Sequence, residues 1–450
     1  MTETHLAPVT GRARIDVLDI LRGIAILGIF YINIPFMGNS GSMQENDIRS
    51  IGWTGADQTV WSLIAIVAEG TQRGLLELLF GAGMMVLAER AMAPDGPVAV
   101  ADLYLRRNMW LLVFGLFDVF VLGWVGDILH TYAIAALFLF PFRVLKPRTL
   151  LALGLLYPLA LGLGSAGEYV ARGELIAKVE MIAAKQAAKQ PVSAAETKTL
   201  ADWQKKLDKP KVDAEEKKEI EAEAKLHRPG AGALEFLSVM GAYWLKWLGE
   251  FEQYFWVIEA FATMLIGVAL WKWKIIQGGR SARFYLVMMF AAYGFGITAR
   301  AVGVAEVTTF QPIPKTIWMT GEFARLAVSL GHVALVNLAV KSVVGSGLLG
   351  PLKAAGRMAF SLYFMQQIIG LWILFAPWGF DLWGKYSYAG LAAIATAVIA
   401  GQIVFANIWM RYFVSGPLEW LWRSLSYVEW QPFRRVRSEA ITTDTITAPT

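Results

Sequence analysis

Apolar stretches of close to twenty residues recur along the chain, at roughly 17–37, 72–89, 108–125, 128–145, 149–169, 253–272, 283–302, 323–343, 356–377 and 389–413. About twenty mainly apolar residues are what a helix needs to cross a bilayer. At that depth no water is available to the backbone, so each segment must satisfy its own peptide groups as helix. The recurrence predicts an all-α, polytopic transmembrane bundle of about ten spans. Composition agrees: the chain is 56% hydrophobic and 17% charged, where soluble domains are nearer a quarter charged. The charge is also concentrated, with 24 Asp, Glu, Lys and Arg residues between 172 and 228.

Short cytoplasmic loops collect Lys and Arg, and alternate loops here do so. Basic residues stand at Arg12 and Arg14, at Arg90, Arg106 and Arg107, and at Arg143, Lys146 and Arg148. They recur at Lys272, Lys274, Arg280 and Arg283, at Lys341, Lys353 and Arg357, and at Arg423, Arg434, Arg435 and Arg437. The intervening short loops hold little beyond Arg49, Lys315 and Lys385. The alternation predicts both termini in the cytoplasm. It divides the chain into a five-helix membrane half (1–171), a polar insertion (172–233), a second five-helix half with interfacial segments (234–430) and a disordered cytoplasmic tail (431–450). The insertion, with runs such as "AAKQAAKQ" and "DAEEKKEIEAEAKLH", reads as exposed helix laced by i,i+4 ion pairs; a solvated arm and a partner-binding hairpin both fit. The stretch 234–250 is amphipathic and is expected in the membrane interface. Trp244, Trp247, Trp271, Trp273, Trp420 and Trp422 suit an aromatic belt.

The absence of cysteine removes disulfides, thiolate nucleophiles and Cys-type metal sites. Four histidines are too few for a His-rich metal centre, and His5 and His227 lie in polar segments. A net charge of +5, gathered beside apolar runs, reports topology; no nucleic-acid partner is implied. Walker, Rossmann and GxSxG motifs are missing, and "GAGMM" reads as helix packing.

Ionisable groups at membrane depth are costly, so they mark candidate sites. Asp16, Asp19 and Arg22 recur every three residues at the start of the first helix, followed by Gly23, Ala25 and Gly28 and, deeper, Asn33. Local charge pairing and a binding role both fit them. Glu69, Arg73 and Glu77, at i, i+4 and i+8, read as an acid–base–acid stripe on one helix face. Asp118 falls mid-membrane. Asp127 and His130 sit one turn apart, where the carboxylate could orient the imidazole as a general base or cap a helix; the two roles are compatible. A scattered set comprises Glu259, Arg300, Arg325, His332, Gln366 and Gln367.

The opening "RIDVLDILRGIAILGIFYINIP" resembles the first motif of the YeiB-like membrane proteins, the family called domain of unknown function 418. "LLELLFGAGMMVLAER", "VGDILHTYAIAALFLFPFR", "GRMAFSLYFMQQ" and "FVSGPLEWLWRSLSY" agree with it, so the resemblance runs from residue 12 to about 427. That family is remotely similar to transmembrane acyltransferases, which share the Asp…Arg-Gly pattern, here Asp19, Arg22 and Gly23. The likeness implies a multi-pass protein of the bacterial inner (cell) membrane. It also implies acyl-CoA as donor, with no permanently bound cofactor, and an envelope glycan or lipid as acceptor. The family's third-helix "GLLH" is "GLFD" here, placing Asp118 at the histidine's position. On this reading Asp127, His130 and Asp118 are the catalytic candidates, and Asp19, Arg22, Asn33, Glu69, Arg73 and Glu77 the substrate-binding ones. The alternatives are a transporter or flippase for a small or lipid-linked solute, and a sensor or scaffold acting through the charged arm.

Overall fold

A computed structural model of the chain describes residues 15–89, 98–208 and 214–435. His5, Arg12, Arg14, Arg90 and the tail from 436, Arg437 included, lie outside the described residues. Helices α1 (Asp16–Gly28) and α2 (Phe30–Gly38) together make one apolar span. Short α3 (Gly41–Asn46) and α4 (Gly55–Val67) follow, then α5 (Thr71–Ala88). Next come α6 (Val98–Phe117), which runs into a π-helical turn at Asp118–Leu122, and α7 (Leu129–Leu139). Helix α8 (Pro147–Ala187) is 41 residues long; α9 (Ala194–Asp208), α10 (Ala214–Leu226) and α11 (Ala233–Leu248) complete the insertion region. The second half holds α12 (Glu252–Lys272), α13 (Ala282–Val307), α14 (Ile317–Ala339) and α15 (Val343–Arg357). It ends with α16 (Ala359–Gln367), a second π-helical turn (Ile368–Leu374), α17 (Tyr388–Tyr412) and α18 (Pro417–Tyr427).

Every expected apolar segment is mostly helical, and six helical stretches among the described residues are long and apolar enough to cross a membrane. The α1–α2 span, α12 and α14 are mostly buried, whereas α8, α13 and α17 turn most of their apolar surface outward. Leu163, Phe290 and Val404, all exposed on those three helices, belong against lipid. The other expected spans are shorter or interrupted. Segment 108–125 passes from α6 into the π turn, and 356–377 breaks in the same way after α16. Helix α4 lies outside the ten expected segments, and α15 bridges the eighth and ninth of them.

Small residues let the inner helices touch backbone to backbone. A Cβ at Gly356 would fall on the Asp19 carbonyl, and one at Gly23 on the Leu352 carbonyl, so α1 and α15 cross in direct contact. Gly81 of "GAGMM" and Gly267 do the same for α5 and α12. Gly356→Ala should therefore lower the unfolding free energy by about 1–3 kcal/mol, the usual penalty for overpacking. Gly347→Ala, facing open space on the same helix, should be neutral. Thermal unfolding of the two variants in detergent makes the comparison.

The insertion differs from a free arm. Helix α8 continues without a break past the expected membrane boundary near 169, and α10 docks back on the bundle. Glu223 accepts from Ser42 Oγ at 2.9 Å. His227, whose surroundings the sequence gives as polar, stacks on Trp383 at 4.3 Å and donates Nδ1–H to the Phe375 carbonyl at 3.2 Å. The arm has local i,i+4 pairs such as Arg172–Glu168, but Lys185–Glu196 and Lys246–Glu219 join separate helices. Helix α11 is not simply interfacial: Phe236 and Trp244 are buried, with Trp244 against Phe120 of the π turn. The first residues of the expected tail, 431–435, are ordered against the bundle, where Phe433 packs on Trp409, Phe413 and Trp420.

Burial pulls the His227 pKa from 6.5 to about 4, against the opposing Phe375 carbonyl and Asp381. With the folded value below the unfolded one, the undocked arm binds the proton more readily. Docking is thus fully stable above pH 6.5 and weakens as pH falls toward 4. Hydrogen exchange across 214–233 should speed up over that window. His227→Phe, which keeps the stack, should remove the dependence.

Candidate functional site

Two polar centres lie inside the apolar bundle. The first is a buried ionic network. Arg73, in the first turn of α5, meets Glu77 one turn on at 3.5 Å and Glu259 of α12 at 2.7 Å. Arg325 of α14 binds Glu77 at 2.9 Å, Glu259 at 3.3 Å and Glu322 at 2.9 Å, and donates to Thr263 Oγ1 at 2.9 Å. Local periodicity predicts pairing along α5 alone; the closest partners come from α12 and α14. Glu69 is not part of that stripe. Gly70, at φ +65°, starts a new helix after it, and Glu69 stands near Arg300 of α13, which donates to the Ala65 carbonyl at 2.8 Å.

The second centre surrounds the start of α7. Asp127 Oδ2 accepts from the His130 backbone N–H at 2.8 Å and from His130 Nδ1 at 2.9 Å. The carboxylate thus caps the first turn and fixes the ring. With Nδ1 held by Asp127, Nε2 lies 3.4 Å from Thr131 Oγ1. Tyr363 of α16 donates to Asp127 Oδ1 at 3.3 Å. Trp244 of α11 covers the imidazole edge-on, 5.4 Å between centroids, so this tryptophan is a buried lid and not part of an aromatic belt.

Asp118, fully buried, begins the π turn after α6 and lies beside Asp127, Tyr363 and Gln367. Neither of its oxygens reaches hydrogen-bond geometry with any of them, and the Gln367 amide and the Trp124 indole N–H are likewise unsatisfied. Gln367 directly precedes the second π turn. Such turns recur at functional sites because they displace side chains from the regular helical register.

A cavity of about 320 Å³ leads toward this centre. At one end it is lined by Arg22, Arg107, Arg357 and Arg423 together with Asp19 and Glu419. Its walls are apolar, including Leu18, Leu76, Phe80, Met84, Leu111 and Phe360, and Gly83 of "GAGMM" opens onto it. It stops at Ile128, Leu129, Tyr132 and Tyr363, one side chain short of the Asp127–His130 pair. Neither Asp127 nor His130 lines the cavity, and Tyr363, which lines it and bonds Asp127, stands between the cavity and the pair. The size is at the small end of ligand pockets.

Arg22 pairs with Asp19 at 3.0 Å, and Asp16 pairs with Lys353 at 2.6 Å. Asn33 is half-buried and stands off the cavity lining. His332 is a satisfied core group, donating to Val328 O at 2.8 Å. Gln366 donates to Ile26 O and Gln402, tying α16 to α1 and α17. Sequence reasoning missed Tyr363, Glu322 and Glu419. Glu419 Oε1 accepts from the Phe360 and Ser361 N–H groups at 2.7 and 3.2 Å, capping α16. Its only signal was its place in the "FVSGPLEWLWRSLSY" block.

Removing one partner from a buried ion pair leaves a bare charge and costs about 3–5 kcal/mol. Arg325→Met should therefore destabilise the protein by that order in thermal unfolding. Adding Glu77→Gln to the same chain should restore part of the loss, because one of the uncompensated carboxylates goes with it.

The sequence profile of the family described as Protein of unknown function (DUF418) matches residues 270–429. The chain is 31% identical over 445 residues to the uncharacterised protein YxaH of Bacillus subtilis (strain 168), covering 96% of this chain and 99% of that one. It is 25% identical over 415 residues to the uncharacterised protein YeiB of Escherichia coli (strain K12), covering 91% and 95%. No solved structure matches it significantly. The apolar helices and these full-length relatives lead to one conclusion: the chain belongs to the YeiB-like family of membrane proteins that carry the domain of unknown function 418.

Proposed function

We propose that the protein is a membrane acyltransferase that draws an acyl-CoA from the arginine-rich side and passes its acyl group to a hydroxyl of an envelope glycan or lipid at the other. The cavity is the observation that carries this reading. An acyl thioester joins an apolar chain to a phosphate-rich head, and the cavity joins apolar walls to Arg22, Arg107, Arg357 and Arg423. Guanidinium groups suit phosphate because they offer paired donors at fixed spacing. Glu419 also lines the cavity, its carboxylate accepting from the Phe360 and Ser361 N–H groups and the Ser361 hydroxyl.

Once Tyr363, which stands between the cavity and the Asp127–His130 pair, swings aside, the acceptor hydroxyl attacks the thioester carbonyl at the far end. His130 Nε2 takes the hydroxyl proton, the C–S bond breaks, an ester forms, and the proton passes to the departing thiolate. Asp127 keeps the imidazole in the required tautomer and balances its charge once protonated. Tyr363 is common to both halves, lining the cavity while bonded to Asp127. The unsatisfied Asp118 and Gln367 groups are the hydrogen-bond partners a hydroxylated acceptor would find. The inner membrane of a bacterium is where such a donor and acceptor face each other, and the loop charges set the orientation.

Purified protein incubated with labelled acyl-CoA tests the reading. Arg22→Ala with Arg107→Ala should weaken binding at least about tenfold, since each removes a charge-assisted contact worth roughly 1.5–3 kcal/mol. His130→Gln should leave binding intact and slow transfer to envelope acceptors about 10²–10⁴-fold. Binding indifferent to both arginines would remove the proposal. Asp118, buried beside Asp127 with no cation against it among the described residues, favours a second reading, a proton-coupled transporter or flippase. Proteoliposome uptake that follows a pH gradient and fails in Asp118→Asn would support that alternative.

A further inference from the structure

A second and larger cavity, about 1200 Å³, opens at the other face of the bundle, away from the arginine-rich pocket. Its walls are the stretch of α8 from Gly164 to Arg172, the turn Asp47–Arg49, the α13–α14 connection and Lys206 of α9. A helix rises about 1.5 Å per residue, so α8, starting at Pro147, leaves an apolar layer of ~30 Å after about twenty residues. The cleft thus sits at the membrane surface, where lipid headgroups lie. Trp318, at the start of α14, is an interfacial residue type at that level.

Its charges do not balance. Arg49 is held by Asp47, with bonds of 2.9 Å from Nε and 2.6 Å from Nη2, and lies 4.0 Å over Phe310. Arg172 is held by Glu168 at 2.8 Å and the Pro312 carbonyl at 3.0 Å, with Trp318 at 5.3 Å. Both lining carboxylates are therefore spent on arginines. Lys206 and Lys315, half-buried in the same wall, make no direct ion pair or hydrogen bond among the described residues. Glu306 acts on Lys315 only at longer range, its Oε2 accepting from the Thr316 N–H and hydroxyl at 2.7 and 2.9 Å. Two ammonium groups with no direct carboxylate contact among the described residues thus face one cleft that also offers the Ser165 hydroxyl and the Gln311 amide.

We propose that this cleft is a binding site for a phosphate ester bearing a hydroxylated group, with Lys206 and Lys315 receiving the phosphate and Ser165 and Gln311 the hydroxyls. Burial and the neighbouring Arg172 both press Lys315 toward its neutral form, and a bound phosphate offsets both. The site stands independently of acyl transfer, since it shares no lining residue with the pocket of Arg22. The same chemistry is presented by an anionic lipid headgroup and by a soluble phosphate ester.

The full chain in detergent separates the two sources, with phosphatidylglycerol against phosphatidylcholine in native mass spectrometry as one arm and glycerol 3-phosphate titration as the other. Preference for phosphatidylglycerol alone assigns a lipid headgroup, and saturable glycerol 3-phosphate binding assigns a soluble ester. In either case affinity should fall with added salt. It should also drop about fivefold for each of Lys206→Gln and Lys315→Gln, the usual effect of one lysine beside an anionic surface, while Lys206→Arg and Lys315→Arg bind nearly as wild type. The inference is overturned if neither probe is preferred by wild type, or if the double glutamine variant, unfolding at the wild-type temperature, binds both probes unchanged.

Discussion

A guanidinium or carboxylate far from water must find its opposite charge inside the protein, and this requirement organises the bundle. Arg73, Glu77, Glu259 and Arg325 come from three helices, and each satisfies at least two of the others. None of these helices can be withdrawn without exposing a charge to lipid. The α5–α12 contact is then drawn tight by Gly81 and Gly267, whose missing side chains bring the two backbones together. Apolar packing alone gives little preference among helices in a bilayer, because lipid tails are as apolar as leucine. The ionic crosslink supplies the choice of neighbours.

The same economy of polar groups separates the two ends of the molecule. Toward the basic loops, four arginines gather with Asp19 and Glu419 around a pocket whose remaining walls are mostly apolar. Beyond it, Tyr363 closes the way to Asp127 and His130, and Trp244 closes the opposite side. The pair is thus held dry between two aromatic side chains from different helices. That seclusion strengthens the carboxylate–imidazole bond, since fewer waters compete for either partner. The two π-helical turns flank this region and carry Asp118 and Gln367 beside it. The insertion participates through α11, while α10 is fastened by His227 and Glu223.

Much of the fold was legible because membrane spans obey a one-dimensional rule: enough consecutive apolar residues must be helical wherever they end up. The Asp127–His130 pair was legible too, since residues three apart on a helix start meet through local geometry alone. Arg73 and Glu77 were only half legible. Their spacing predicts a contact within α5, and that contact exists at 3.5 Å, but Glu259 and Arg325 lie far along the chain and bind more closely. No periodicity encodes a partner on another helix. The Glu69 stripe failed for a local reason, a glycine at positive φ that interrupts the helix.

The sequence by itself determined that this chain is helical, membrane-embedded and charged at one set of loops, and that a carboxylate and an imidazole share one turn. Those properties follow from composition and short-range spacing, which hold whatever the packing. Only the tertiary structure decided which helices the buried charges join, that four arginines from separate helices ring one pocket, and that Tyr363 stands between that pocket and His130. It also decided that the charged insertion docks back onto the bundle and that Lys206 and Lys315 face a common cleft. These are meetings of residues distant in sequence, selected by the demand that every buried polar group be paired, and that demand acts in three dimensions.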